Sequence, residues 1–105
     1  MRFEAKKHLP KRTREVAEFL GLEVGNISVR NNKSRWGSCS GKNNISLNIN
    51  LMRLPEELCD YVIYHELAHI KVKQHGKPFW SYLETLLPGA KKLDKKLNLY
   101  HLTYW

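Results

Sequence analysis

The run Asp60-Tyr61-Val62-Ile63-Tyr64-His65-Glu66-Leu67-Ala68-His69 decides both the fold and the chemistry. On a helical wheel with His65 at the origin, Leu58, Tyr61, Val62, Ala68, His69 and Val72 fall within about 60° of it. Cys59, Ile63, Leu67 and Ile70 occupy the far side, and Glu57, Asp60, Tyr64 and Lys71 share one narrow polar wedge. A helix this apolar on nearly every side is expected to be buried, and it carries two imidazoles and a carboxylate inward with it. Leu54-Pro55-Glu56-Glu57 opens it, with a proline at the start and two acids at the positive end of the helix dipole. The pattern predicts that the helix continues to about Val72 or Lys73.

Histidines four apart stand one turn above the other on the same face, where both rings can reach one ion at about 2.0–2.1 Å. Glu66 lies beside that face, placed to accept a proton from a water on the ion without joining its ligands. Two satisfied core histidines with an unrelated glutamate are the plainer alternative. Against it, a buried carboxylate beside two imidazoles costs roughly several kcal/mol unless a charge such as a dication compensates it. A catalytic zinc takes three protein ligands and leaves a position for water. His8, His75 and His101 remain. His75 follows His69 by six residues and precedes Gly76, where the chain can turn back, so it is the favoured third ligand, with Glu84 as second choice. His8 and His101 read as surface or tail residues. Cys59 points about 120° away from His65 on the wheel, and Cys39 falls in what reads as a distant loop, so neither is a good ligand.

Around this helix the chain reads as α+β. A first helix is expected from Pro10 or Lys11 to Leu20, with Val16, Phe19 and Leu20 on its apolar face and Gly21 as its C-terminal cap. Ile27-Ser28-Val29-Arg30 and Ile45-Ser46-Leu47-Asn48-Ile49 alternate as strands do. The polar stretch from Asn31 to Asn44 reads as a loop or an irregular strand and turn, folded over the core so that Trp36 can pack. Pro78 begins a third helix bearing Phe79, Leu83 and Leu86, which stops at Pro88-Gly89, and Trp80 is expected to fill the core beside it. A last segment from Ala90 to about Leu99 carries Leu93 and Leu97, followed by an aromatic tail expected to dock on the domain.

Length and charge narrow the classes. The 105 residues support one domain with one modest core. No apolar run is long enough to cross a membrane, and no apolar stretch follows the basic N-terminus as in a signal peptide. Two cysteines without a CxxC pattern, Cys39 and Cys59, suit buried thiols in the cytoplasm rather than a disulfide framework. The net charge is +8. Residues 1–14 hold six basic side chains and one acid, and residues 24–55 hold five basic side chains and no acid. Such asymmetry favours an anionic partner, including weak nucleic-acid contact, or serves solubility.

Lys33-Ser34-Arg35-Trp36-Gly37-Ser38-Cys39-Ser40, Ile45-Ser46-Leu47-Asn48, the His65–His69 run, His75 and Phe79-Trp80, in that order, resemble the YgjP-like metallopeptidase domain, a predicted zinc hydrolase similar to SprT-like proteases. The resemblance spans residues 13–88. It implies a minimal zincin-like fold as a single domain over residues 1–105, an N-terminal helix, a small antiparallel or mixed sheet, an active-site helix and C-terminal helices. It further implies zinc on His65, His69 and His75, Glu66 as general base and a peptide or protein substrate. The strand at 45–49 is the expected edge for an extended substrate. Arg35, Tyr61, Tyr64 and Tyr82 stay open as oxyanion stabilisers. The competing classes are a basic nucleic-acid-associated zinc module and an inactive zincin scaffold.

Overall fold

The computed structural model describes residues 2–31, 35–74 and 76–100. Helix α1 covers Arg2–Leu20, strands β1, β2 and β3 cover Ile27–Arg30, Gly37–Cys39 and Ile45–Asn48, and a 3-10 turn follows over Ile49–Arg53. Helices α2, α3 and α4 cover Glu56–Ala68, Lys77–Leu86 and Ala90–Leu97. The sheet order is β1-β3-β2, with β1 parallel to β3 and β2 antiparallel to it. Helix α1 packs on β1, while α2 packs on β2 and β3 and takes α3 and α4 against its other sides. The α+β expectation holds.

Helix α1 begins earlier than the sequence suggested and carries Pro10 in its interior. A proline there forfeits one backbone hydrogen bond. The fully buried Leu9 anchors the turn before it, and the buried Thr13 hydroxyl donates to the Leu9 carbonyl at 2.7 Å. The buried stripe is Leu9, Thr13, Val16 and Ala17. Phe19 lies about 100° from the centre of that stripe and is 82% exposed, so it is not the core residue expected. The C-terminus agrees with the sequence. Gly21 has φ +71°, the Leu22 N–H donates to the Ala17 carbonyl, and the Gly21 N–H donates to the Glu18 carbonyl, closing a Schellman cap.

Helix α2 is the buried axis, with Leu58, Tyr61, Val62, Ile63, Leu67 and Ala68 all at 2% exposure or less. It ends at Ala68, four residues short of Val72, and the chain continues as turns in which the Ile70 and Lys71 N–H groups donate to Leu67 and Ala68. Arg12 of α1 locks to it. The Arg12 Nε and Nη2 atoms donate to Oδ1 and Oδ2 of Asp60, each at 3.1 Å. Because this fork is partly exposed, Arg12→Ala is expected to lower stability by about 1 kcal/mol, read as a lower urea midpoint. Lys at position 12 should not restore it, since an ammonium cannot make the two-pronged contact. An unchanged midpoint for Arg12→Ala would show that the contact is only decorative.

Trp36 is buried as expected, at 4% exposure. Of the two readings of the 31–44 stretch, its described residues follow the strand and turn, with the short strand β2 and a tight return. The Ser40 N–H donates to the Asn44 carbonyl, the Ser40 hydroxyl accepts from the Lys42 and Asn44 N–H groups, and Asn43 takes φ +65°.

Candidate metal centre

Helix α2 presents His65 and Glu66 in its last turn and His69 at its C-terminal cap. The carbonyl end of a helix carries partial negative charge, so a cation held there is favoured by the backbone itself. His65 is partly buried, while Glu66 and His69 are 5% and 7% exposed. The His69 Nδ1–H donates to the Val72 carbonyl at 3.0 Å, made possible by the early end of α2. That bond fixes the tautomer, with the proton on Nδ1. His65 Nδ1 donates to Glu66 Oε2 at 3.2 Å, which ties the first imidazole to the carboxylate beside it. One donor atom from each of His65, Glu66 and His69 lies within 4.8 Å of the others, and among the described residues these form the one cluster of His, Cys, Asp or Glu suited to a metal. The two imidazoles suit a borderline dication such as zinc, and the Glu66 carboxylate stands close enough to meet a water on it.

Aromatic packing holds the imidazoles. Phe79 of α3, fully buried, stacks on His69 with centroids 4.2 Å apart, and the same ring meets His65 edge-on at 5.0 Å. Trp80 is not the core filler expected from sequence. It is half-buried, stands edge-on to His65 at 6.2 Å, and has the Lys91 ammonium 4.8 Å above its ring.

The imidazoles and Glu66 form the floor of an open cleft of about 510 Å³. Gly37, Ser38 and Cys39 of β2 make one wall, Trp80 and Asp94 the other, and Arg35 and Lys73 also border it. Sheet order corrects one expectation here: β3 is central, so the strand at 45–49 is not the edge, and β2 is. The Asn48 N–H donates to the Trp36 carbonyl and the Ser40 N–H to the Asn44 carbonyl, in the register Ser38 opposite Ser46. Alternate residues of an antiparallel strand point their backbone groups to opposite sides. Trp36, Ser38 and Ser40 therefore face β3, and the N–H and C=O of Gly37 and Cys39 face the open edge.

Gly37 needs to be glycine. A Cβ there would lie 3.1 Å from Glu66 Cγ, 3.1 Å from the Ser46 carbonyl oxygen and 3.3 Å from Glu66 Oε2. The carbonyl belongs to β3 and cannot retreat, so Gly37→Ala must push the carboxylate. We expect about a tenfold or larger fall in turnover with metal content kept. Gly41→Ala, where a Cβ meets nothing within 4 Å, serves as the control. Equal activity in both variants would sink the role given to Gly37.

Of the sequence-derived candidates, His75 lies outside the described residues, as does His101, and His8 is exposed. Glu84 is not at the cluster. Its carboxylate accepts the Gly89 N–H at 2.9 Å and the Lys91 N–H at 3.0 Å, capping the start of α4, and these two bonds hold its pKa below the ordinary carboxylate value. Cys39 is on β2 and borders the cleft, not a distant loop. Burial pushes its thiol up, the Lys73 charge opposes this and the Glu66 charge adds to it. Cys59 is buried on the far side of α2. Of the four oxyanion candidates only Arg35 borders the cleft. Tyr61 is buried and donates to Asp94 Oδ1 at 2.9 Å, and burial pushes its phenol far above the ordinary value.

Sequence reasoning missed Asp94 and Lys73. Asp94 had a readable signal, as the single acid among four lysines in Ala90–Leu97. Lys73 had none, because only the fold brings it to the β2–β3 turn.

The profile of the YgjP-like metallopeptidase domain matches residues 1–100, wider than the motifs alone suggested. No curated protein matches by sequence. Two similar solved structures are the metallopeptidase zymogens abylysin of Pyrococcus abyssi and jannalysin of Methanocaldococcus jannaschii. Abylysin is 27% identical with a TM-score of 0.73, covering 87% of this chain and 92% of that one. Jannalysin is 28% identical with a TM-score of 0.74, covering 90% and 97%. A metallopeptidase needs an ion beside a carboxylate and an open strand edge, and with the family profile spanning almost the whole sequence, the chain belongs to the YgjP-like metallopeptidase family.

Proposed function

We propose that this chain is a zinc peptidase of a single catalytic domain over residues 1–105, with the ion on His65, His69 and His75 and Glu66 as general base. The observation that carries the reading is the pairing of a metal-suited cluster with a buried carboxylate under an open strand edge. Zinc, when bound, supplies Lewis acidity to a water and to the scissile carbonyl. Glu66 accepts the proton of the attacking water and delivers it to the leaving amine. The outward N–H and C=O groups of Gly37 and Cys39 hold the substrate as an added strand, which sets the scissile bond over Glu66. Phe79 and the Val72 carbonyl keep His69 oriented, so that little reorganisation is needed during turnover.

The test is hydrolysis of a mixed peptide set by the chain as purified, stripped with chelator, and reloaded with one equivalent of zinc. Because both similar structures are zymogens, each sample is assayed before and after limited proteolysis. Cleavage lost on stripping and regained with zinc is expected. Cleavage that survives stripping, or its absence from every zinc-loaded sample, contradicts the reading.

A further inference from the structure

The β2 edge is held over the floor of the cleft at two points. At Gly37 the strand lies directly against Glu66, so close that a Cβ there would stand 3.1 Å from Glu66 Cγ. A single point of contact would let a short strand pivot. The second point lies just past Cys39, where the Lys73 ammonium reaches over from the chain leaving α2. It donates to the Ser40 carbonyl at 3.2 Å and to Asn43 Oδ1. Both acceptors are themselves braced. The Asn43 N–H donates to the same Ser40 carbonyl at 3.0 Å, and the Gly25 N–H donates to the Asn43 carbonyl at 2.8 Å. The Ser40 hydroxyl accepts from the Lys42 and Asn44 N–H groups. Asn43 holds φ +65°, a left-handed conformation that asparagine tolerates better than most side chains.

The other end of this link is tied to the metal cluster. Lys73 follows Val72, whose carbonyl accepts from His69 Nδ1 and whose N–H donates to the Ala68 carbonyl at 3.0 Å. It precedes His75, the proposed third ligand, by two residues. One side chain therefore joins the segment that orients a metal ligand to the strand whose outward groups at Gly37 and Cys39 receive the substrate. Because both of its acceptors are neutral, Lys73 acts here through geometry rather than ion pairing. Its bonds are exposed and add only modestly to folding. Their effect falls on alignment, where an error of about 1 Å can cost up to about 10²-fold in rate.

We propose that Lys73 is a positioning residue, a strap that fixes the β2 edge relative to the metal ligands. A peptide paired to that edge then presents its scissile bond to Glu66 and the ion. The proposal rests on the peptidase reading above for the reaction that the strap serves. Removing the strap leaves the pairing groups of Gly37 and Cys39 in place, so peptides still bind, and what is lost is their registration with the reacting groups.

The test uses the full-length, zinc-loaded chain. Lys73→Met keeps the apolar stem and removes the donors. It is expected to lower kcat about tenfold while KM changes by less than about threefold, with melting temperature and bound zinc unchanged. Lys73→Arg, which restores donors at that position, should recover most of the loss. Asn43→Gly deletes one acceptor and keeps the turn, since glycine adopts a positive φ readily. It should also lower kcat, and combining it with Lys73→Met should cost little more than Lys73→Met alone, as for two halves of one contact. Wild-type kcat in Lys73→Met, full additivity of the two changes, or a loss that tracks a fall in melting temperature overturns the proposal. Amide hydrogen exchange supplies a reading that needs no turnover. In Lys73→Met the Asn43 and Asn44 N–H groups, on the far side of the link, should exchange about three- to tenfold faster. Unchanged protection there overturns the strap. Absence of cleavage by every activated, zinc-loaded wild-type sample removes the peptidase reading instead, and the exchange result still decides whether Lys73 holds the strand.

Discussion

Glu66→Gln is expected to keep its zinc and its melting temperature while losing peptide hydrolysis by about 10²-fold or more, the scale for removal of a general base. The amide is nearly isosteric, and its carbonyl can still accept from His65 Nδ1, which now contacts Oε2 at 3.2 Å. What it cannot do is accept the proton of a water at neutral pH. The burial of Glu66 sharpens the expectation, because at 5% exposure bulk water has little room to substitute for it. Turnover at the wild-type rate would mean that the activity arises elsewhere on the chain.

The second large effect belongs to the proposed third ligand. His75→Ala is expected to lower zinc affinity by about 10²-fold or more, read by competition with a chromophoric chelator, since two imidazoles alone hold zinc poorly. His69→Ala should do the same, and additionally leave the Val72 carbonyl without its donor and Phe79 without its stacking partner. Full zinc retention in His75→Ala would remove that residue from the site. Glu84 would be a poor replacement, as both of its oxygens cap α4, and Asp94, which borders the cleft, would become the leading candidate.

The sequence made α2 legible because its information is local. A 3.6-residue period and a five-residue motif place His65, Glu66 and His69 on one buried flank without reference to any other element. Gly21 and the Pro55-Glu56-Glu57 start were readable for the same reason, since capping is decided within one turn. The other wall of the cleft was not readable. Strand β2 is short and made of Gly, Ser and Cys, which have little strand preference, and it exists because β3 pairs with it. Its position at the edge depends on β1 pairing in parallel with β3, a long-range choice that no local pattern encodes. The 31–44 stretch read as a loop or an irregular strand and turn, and without its pairing partner Cys39 was misplaced, since that pairing carries it to the cleft. Pro10 misled in the opposite direction. A strong local start signal lost to the burial of Leu9 one residue before it, as tertiary packing overrode propensity. Trp80 and Phe79 are neighbours on α3, and only the angle at which α3 meets α2 decides that Phe79 is in the core and Trp80 on the wall.

The most direct test of the whole account is X-ray absorption spectroscopy on the zinc-loaded wild-type chain. The account predicts three imidazole nitrogens and one oxygen at about 2.0–2.1 Å and no sulfur, the open arrangement of a catalytic ion. Cys39 is the thiol that borders the cleft. A sulfur at about 2.3 Å, or four protein ligands with no place for water, would make the ion structural and contradict the assignment of this cleft as a catalytic zinc site.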